Sequence, residues 1–400
     1  AQGRPVIGAA VAAVTARRLE HATGIPSTSL VRLLTAARRT DPATGRQTGL
    51  PRGGVVVVDE ASMADTRTLA ALLAHTRAAA ATLVLVGDPA QLPEVGAGGL
   101  FPALARHPDT IALTDNRRQT QEWERRALAD LRAGDPDAAV AAYATHGRVH
   151  TAPADQLPDR IVADYLRLLD QSTQDGDEQR DDRGAQRVVM LAVRRADVTE
   201  LNDATRQRLF ADGRLGPDAV TAGQGETQRE YRAGDRVLVT RNDHRLALLN
   251  GTRATVSAVD PEHRTLILAA EDDQQVTVPV DWAVRHLDHG YAMTCHKAQG
   301  ATVDVTLLYG TGALTREAGY VALSRGRVAN HLYVPEDPDD GTTRTPVAED
   351  GRHLDRLAAR LAARRTQNLA TRQLPRAAPR RWQPTITHQP EHYRAEGMSR

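Results

Sequence analysis

The chain has 400 residues, a formal net charge of +1 and 3% aromatic side chains, which is length enough for two or three domains. Of its 51 basic residues only Lys297 is lysine, so no G-x-x-x-x-G-K-[ST] phosphate loop stands in this sequence. Cys295 is the single cysteine, which excludes an intrachain disulfide and fits a reducing, cytoplasmic setting, and neither a long apolar run nor a leader pattern supports membrane insertion.

As far as residue 118, short apolar strands alternate with longer helical stretches, the pattern of a parallel sheet covered by helices. Val55 to Val58 is a β-branched run ending in Asp59-Glu60, as expected for a strand buried on both faces. Leu69, Leu72, Leu73 and His75 fall at helical spacing within Thr66 to Ala80, with Asp65 or Thr66 as the N-cap. Thr82 to Val86 reads as a second buried strand, closed by Gly87-Asp88, and Thr110 to Leu113 as a third. Polar residues thus emerge at strand C-termini, where open α/β sheets hold their ligands.

Residues 120 to 170 read as mostly helical, and Gln171 to Arg183 as a polar, acidic linker. Val188 to Val193 restarts the α/β pattern, followed by a helix around Asp197 to Leu209. Between Tyr231 and Leu287 the apolar period falls to two, with Val237, Val239, Ala254, Val256, Ile267, Val276, Val278 and Val280 around an Asn250-Gly251 hairpin turn. That predicts a small β-barrel-like insert. Thr306 to Tyr309 is a further strand, and from Pro335 the chain turns basic and Pro/Arg-rich, with one amphipathic helix marked by Leu354, Leu357 and Leu361. The expected class is α/β, divided into a first parallel-sheet domain at 1–118, a helical connector and linker at 119–185, a second sheet domain at 186–334 with its insert at about 231–287, and a tail at 335–400.

Two strand ends carry chemistry. Val55-Val-Val-Val-Asp59-Glu60 has the Walker B form, in which a strand-end aspartate holds Mg²⁺ through water and the next glutamate polarises a water beside a γ-phosphate. Gly87-Asp88-Pro89-Ala90-Gln91-Leu92-Pro93 presents Gln91 on a tight turn at a neighbouring strand end, where it can act as a hydrogen-bonding phosphate sensor.

The order and spacing of D-E-A-S-M and G-D-P-A-Q-L-P resemble motifs II and III of RecD-like superfamily 1 helicases. Leu113-Thr-Asp-Asn-Arg-Arg118-Gln119 resembles motif IV, Thr294-Cys-His296-Lys297-Ala-Gln299-Gly300 resembles motif V, and Tyr320-Val-Ala-Leu-Ser-Arg325-Gly-Arg327 resembles motif VI. Residues 6–34, with Ala22-Thr-Gly-Ile-Pro26, resemble the motif Ia region in the helicase half of TraA/TrwC-type conjugative relaxases. The family's Pro-Ser/Thr step there is replaced by Val11-Ala12, and Gly3 to Gly8 has phosphate-loop glycine spacing but Ala9-Ala10 where Lys-Ser/Thr is required.

The resemblance, which covers about residues 6–334, implies two RecA-like P-loop NTPase domains, the first incomplete, and an SH3-like insert in the second. It implies ATP and Mg²⁺ as cofactors, single-stranded DNA and the conjugative transfer machinery as partners, and 5'-to-3' translocation. Carried onto this sequence, the catalytic set is Glu60, Gln91, Arg118 and Arg325, with the two arginines reaching one phosphate from opposite domains. Asp59, Gly87, Asp88, Gln299 and Gly300 would hold the nucleotide, Asp59 carrying Mg²⁺, and Thr294, His296, Lys297 and Asn250 would meet DNA. The opening on Ala1 and the missing phosphate loop lead to the expectation of a piece of a longer protein, inactive as an ATPase alone. The alternatives are a free-standing RecD-type repair helicase and a non-catalytic DNA-binding remnant. The H-K-A-Q-G segment argues against a P-loop ATPase acting on protein.

Overall fold

The computed structural model describes residues 3–39, 49–94, 96–174, 188–223, 228–270, 274–336 and 349–364. The acidic linker from residue 175 onward and the tail beyond 364 lie outside the described residues. The first sheet is four-stranded and parallel, with Val6–Ala10 between Ser27–Ser29 and Val55–Asp59, and Thr82–Leu85 beyond the last. Val56 and Val58, on one face, are fully buried, while Val55 and Val57 on the other are half-buried, so the β-branched run packs a core on one face and is only partly covered on the second. The helix Thr66–Ala78 starts where Asp65 accepts a hydrogen bond from the Thr68 amide at 2.9 Å and another from the Thr68 hydroxyl at 2.8 Å.

One expected strand is not formed. Thr110 to Leu113 has no sheet partner, and Ile111 and Leu113 stand 90% and 88% exposed. A β-branched sequence becomes a strand only where a neighbour takes its backbone groups, and no described strand lies against the outer edge of Thr82–Leu85. Thr82–Leu85 is therefore an edge strand and not the buried strand expected: Val84 and Val86 are exposed and Leu83 and Leu85 only half-buried, because one side of it has no described neighbour.

The second sheet is five-stranded and parallel, in the order Ala292–Thr294, Val188–Ala192, Val303–Tyr309, Gly326–Pro335 and Val149–Ala152. Helices Leu157–Gln174 and Arg195–Ala211 cover one face, while Glu122–Ala133, Pro136–Thr145 and Arg316–Leu323 cover the other. The amphipathic helix of the tail, Glu349–Ala362, joins this second layer: Leu357, Ala358 and Leu361 are buried in the same core as Leu323 and Val321. The Arg316 amide donates to Ala363 O at 2.9 Å, so the tail helix braces the helix that leads into Arg325.

Between these parallel strands lies the antiparallel insert, ordered Gln275–Pro279, Thr265–Ala270, Arg253–Asp260, Arg236–Val239 and Leu287–His289. Its core also takes Val220 and Tyr231 from the hairpin Ala219–Ala222 and Arg229–Arg232, so the antiparallel part begins upstream of Tyr231. The α/β class with two parallel sheets and a small antiparallel insert is what the chain adopts. No described helix is long and apolar enough to cross a membrane.

Candidate functional site

Strand-end carboxylates of the first sheet face loops of the second across a cleft. Glu60 follows the Val55–Asp59 strand in the left-handed region at φ 50°, a strained setting for a residue with a side chain. Asp59 Oδ1 accepts from the Glu60 amide at 2.9 Å. Across the cleft, a Cβ placed on Gly300 would lie 3.7 Å from Glu60 Oε1 and 3.7 Å from Thr15 Oγ1, ordinary contact distances, so the two sheets meet closely here and it is the backbone at φ +74° that favours glycine. Burial raises the Glu60 carboxyl above its ordinary value, helped by Asp59 and Asp88 and opposed by Arg325 and Arg118.

Arg325 is 1% exposed. Its guanidinium donates to Val321 O at 2.9 Å, Ser324 Oγ at 2.9 Å and Ala301 O at 3.4 Å, all neutral acceptors. Burial and the neighbouring Arg118 charge bring its pKa down to about 10, against the attraction of Glu60. A buried guanidinium without a hydrogen-bonded carboxylate is costly unless an anion completes it.

The expectation that Arg118 and Arg325 approach from opposite domains is not met. Arg118 Nη1 donates to Ser324 O at 2.8 Å, Gln119 Nε2 donates to Ser324 O at 3.2 Å and Gly326 O at 2.8 Å, and the Thr120 amide donates to Arg327 O at 2.8 Å. Residues 118–120 are thus pinned to the loop that carries Arg325, because buried backbone carbonyls there need donors and Gln119 supplies them. Both arginines stand on the same side of the cleft, facing Glu60.

The Gly87-Asp88-Pro89 turn is built from the same first-sheet edge. A Cβ on Gly87 would meet Phe101 Cζ at 2.9 Å and Ser62 N at 3.0 Å, so glycine is required by close packing. Asp88 Oδ1 caps the Ala90 amide at 3.0 Å and pairs with Arg132 at 3.2 Å, while Oδ2 accepts from the Tyr320 hydroxyl at 3.1 Å. Asp88 therefore joins the two sheets directly. Gln299 makes a second tie, its Nε2 donating to Leu92 O at 3.3 Å, and Oε1 of Gln91 is buried with no hydrogen-bond partner.

The loops expected to meet DNA split into two groups. Thr294 is half-buried, its Oγ1 accepting from the Lys297 amide at 3.3 Å, and the exposed Lys297 Nζ lies 3.2 Å from Asp288 Oδ2. His296 lies in the same turn. Asn250 is separate and exposed, its amide donating to Asn242 Oδ1 at 2.7 Å. Its loop rests on the helix Ala13–Thr23: Arg17 Nη2 donates to Ala247 O at 3.2 Å, and a Cβ on Gly251 would lie 3.0 Å from Val14 Cγ1.

Sequence reasoning missed the residues that hold the arginine loop. Asn330, fully buried, takes the Gly326 amide on Oδ1 at 2.9 Å and donates through Nδ2 to Glu124 Oε1 at 2.9 Å. Glu124 also accepts from the Tyr143 hydroxyl at 3.1 Å. Gln119 and Tyr320 stood inside the quoted motifs, whereas Glu124 and Asn330 carried no signal, since a helical Glu and a strand Asn look solvated in one dimension.

A family model described as an AAA domain matches residues 1–154. The conjugal transfer protein TraA of Rhizobium radiobacter is 32% identical over 334 residues, covering 83% of this chain and 28% of that protein. The RecBCD enzyme subunit RecD of Mycolicibacterium smegmatis is 31% identical over 331 residues, covering 76% of this chain and 54% of that protein. This chain is a homologue of the TraA conjugal transfer proteins and the RecD helicases. The ATP-dependent RecD2 DNA helicase of Deinococcus radiodurans is 30% identical, covering 78% of this chain and 40% of that helicase. The chain therefore spans between about a quarter and about half of the length of these relatives.

Proposed function

We propose that this chain forms part of an ATP-driven helicase motor acting on single-stranded DNA, of the kind carried by conjugal transfer proteins. The observation that carries the reading is the cleft in which Glu60, backed by Asp59, faces two arginines held on one loop. The cleft suits an anionic nucleotide because the Arg325 guanidinium has only neutral hydrogen-bond acceptors, and the unpartnered Gln91 Oε1, itself an acceptor, suits a donor such as an attacking water. ATP with Mg²⁺ supplies the free energy of phosphoanhydride cleavage when bound.

The chain's own groups divide the remaining work. Asp59 would hold the metal through water, and Glu60 would orient an attacking water and accept its proton, a task suited to a carboxyl raised by burial. Gln91 would hydrogen-bond at the phosphate end, while Arg118 and Arg325 would place positive charge where negative charge grows. Because Asp88, Tyr320, Gln299 and Leu92 tie the sheets together around the cleft, opening and closing there would move the helix Ala13–Thr23 of the first sheet relative to the Asn250 loop and the Lys297 turn of the second. That is a route from the nucleotide to DNA. The exposed edge at Val84 and Val86 supports a further parallel strand completing the first sheet, as a phosphate-loop strand would.

The test is ATP hydrolysis with and without single-stranded DNA. The 400 residues alone should turn over negligibly, since they contain no phosphate loop, and robust DNA-stimulated hydrolysis by them would overturn that expectation. In a longer chain carrying a phosphate loop ahead of Val6, turnover should be DNA-stimulated, and Glu60→Gln should cut kcat by about 100-fold or more. A RecD-type repair helicase is the second reading, supported by a RecD match nearly as long and as similar as the TraA match, 31% identical over 331 residues against 32% over 334. A relaxase domain encoded in the same reading frame would decide for conjugation.

A further inference from the structure

Lys297 and Arg229 converge on one carboxylate. Asp288 Oδ2 lies 3.2 Å from Lys297 Nζ and Oδ1 lies 3.0 Å from Arg229 Nη2, so each oxygen serves one cation. The three residues come from three segments: Lys297 from the turn after Ala292–Thr294, Asp288 from the insert strand Leu287–His289, and Arg229 from the hairpin strand Arg229–Arg232. All three side chains are between about a third and two-fifths exposed.

Two of the surrounding carboxylates are committed elsewhere, while Asp203 acts on both Arg206 and Arg229 through space. Glu230 Oε1 takes Arg232 at 2.8 Å and Arg206 at 3.4 Å, and the fully buried Asp235 takes Arg206 at 2.8 Å. Within the trio two cations share one carboxylate, at the surface, beside the turn that carries Lys297. A half-exposed ion pair holds its partners weakly, so a phosphate can take either cation from Asp288.

We propose that Lys297 and Arg229 form a two-cation seat for one backbone phosphate of single-stranded DNA, and that Asp288 is a built-in competitor that sets how tightly the seat holds. This rests on the DNA reading above and adds to it a residue, Arg229, and a tuning carboxylate that the motif does not contain. Asp288 keeps both cations aimed at one point in the free protein and weakens each contact in the complex. Such a seat grips and releases a moving strand more readily than an uncompensated pair.

The test is fluorescence anisotropy of a labelled oligothymidylate with the 400-residue chain, read from about 50 to 200 mM salt. Arg229→Gln should weaken binding roughly three- to tenfold at the lowest salt and flatten the slope of log K against log salt by about 0.7, the loss of one single-strand phosphate contact. Asp288→Asn, nearly isosteric, should tighten binding several-fold at low salt, and the double variant should lie between the two. Arg229→Gln matching the parent in affinity and slope, or Asp288→Asn failing to tighten binding, would overturn the seat while the parent still bound DNA. A parent chain with no salt-sensitive affinity for the oligonucleotide would overturn the DNA reading first, and the seat with it.

Discussion

Replacing Asn330 by alanine examines the least visible part of the site. The side chain makes three buried hydrogen bonds: Gly326 N to Oδ1 at 2.9 Å, Nδ2 to Glu124 Oε1 at 2.9 Å and Nδ2 to Gly326 O at 3.2 Å. Alanine leaves the Gly326 amide without its acceptor, at a cost of about 1–3 kcal/mol, and removes a donor from a buried carboxyl, which adds a similar amount. The expected loss is about 3–5 kcal/mol, large because neither group reaches bulk water. Trp123 is a local reporter, its ring centroid 5.3 Å from that of Tyr143, which donates to Glu124. With Trp282 and Trp382 changed to Phe in both proteins, urea unfolding followed at Trp123 should show the midpoint of Asn330→Ala lowered by roughly 1–2 M. A shift near zero would mean that water enters the space and satisfies both groups, and the claim that a dry network positions the Arg325 loop would fail.

Two further outcomes follow from the same structure. Burial and Tyr143, Asn330 and Arg148 act on Glu124 in opposite senses, and burial prevails, so its folded pKa lies above the ordinary 4.5. Between 4.5 and that folded value the native state binds more protons than the unfolded chain, so stability should fall as pH rises through this window. Glu124→Gln should abolish the fall, and a parent-minus-variant difference that stays flat from pH 4 to about pH 7 would contradict this. Cys295 is 1% exposed and burial pushes its thiol up to about 12, so a thiol-disulfide reagent at about pH 8 should label it only at denaturant concentrations that unfold the second sheet. Prompt stoichiometric labelling of the native chain would refute the burial.

The amino-acid sequence by itself determined the parts that follow from local pattern. The Val55–Asp59 strand with its terminal carboxylates, the Asp65-capped helix, the Gly87-Asp88-Pro89 turn and the period-two insert are written in side-chain branching, capping chemistry and alternation, which act over a few residues. Its motifs also pointed to the TraA and RecD homologues, since each quoted segment keeps its chemistry in order. Tertiary structure alone decided what pairs with what. Thr110 to Leu113 had a strand's composition and no neighbouring strand edge, so it stayed unpaired. Arg118 belonged by sequence to the first sheet, yet the unsatisfied carbonyls of Ser324 and Gly326 drew residues 118–119 onto the second. The single lysine, alone in composition, is held by Asp288 beside Arg229, a pairing made across the insert that no spacing in the chain could announce. Hydrogen bonds and ion pairs between distant segments are set by which backbone groups the packed core leaves to be satisfied, and that is known only once the chain is folded.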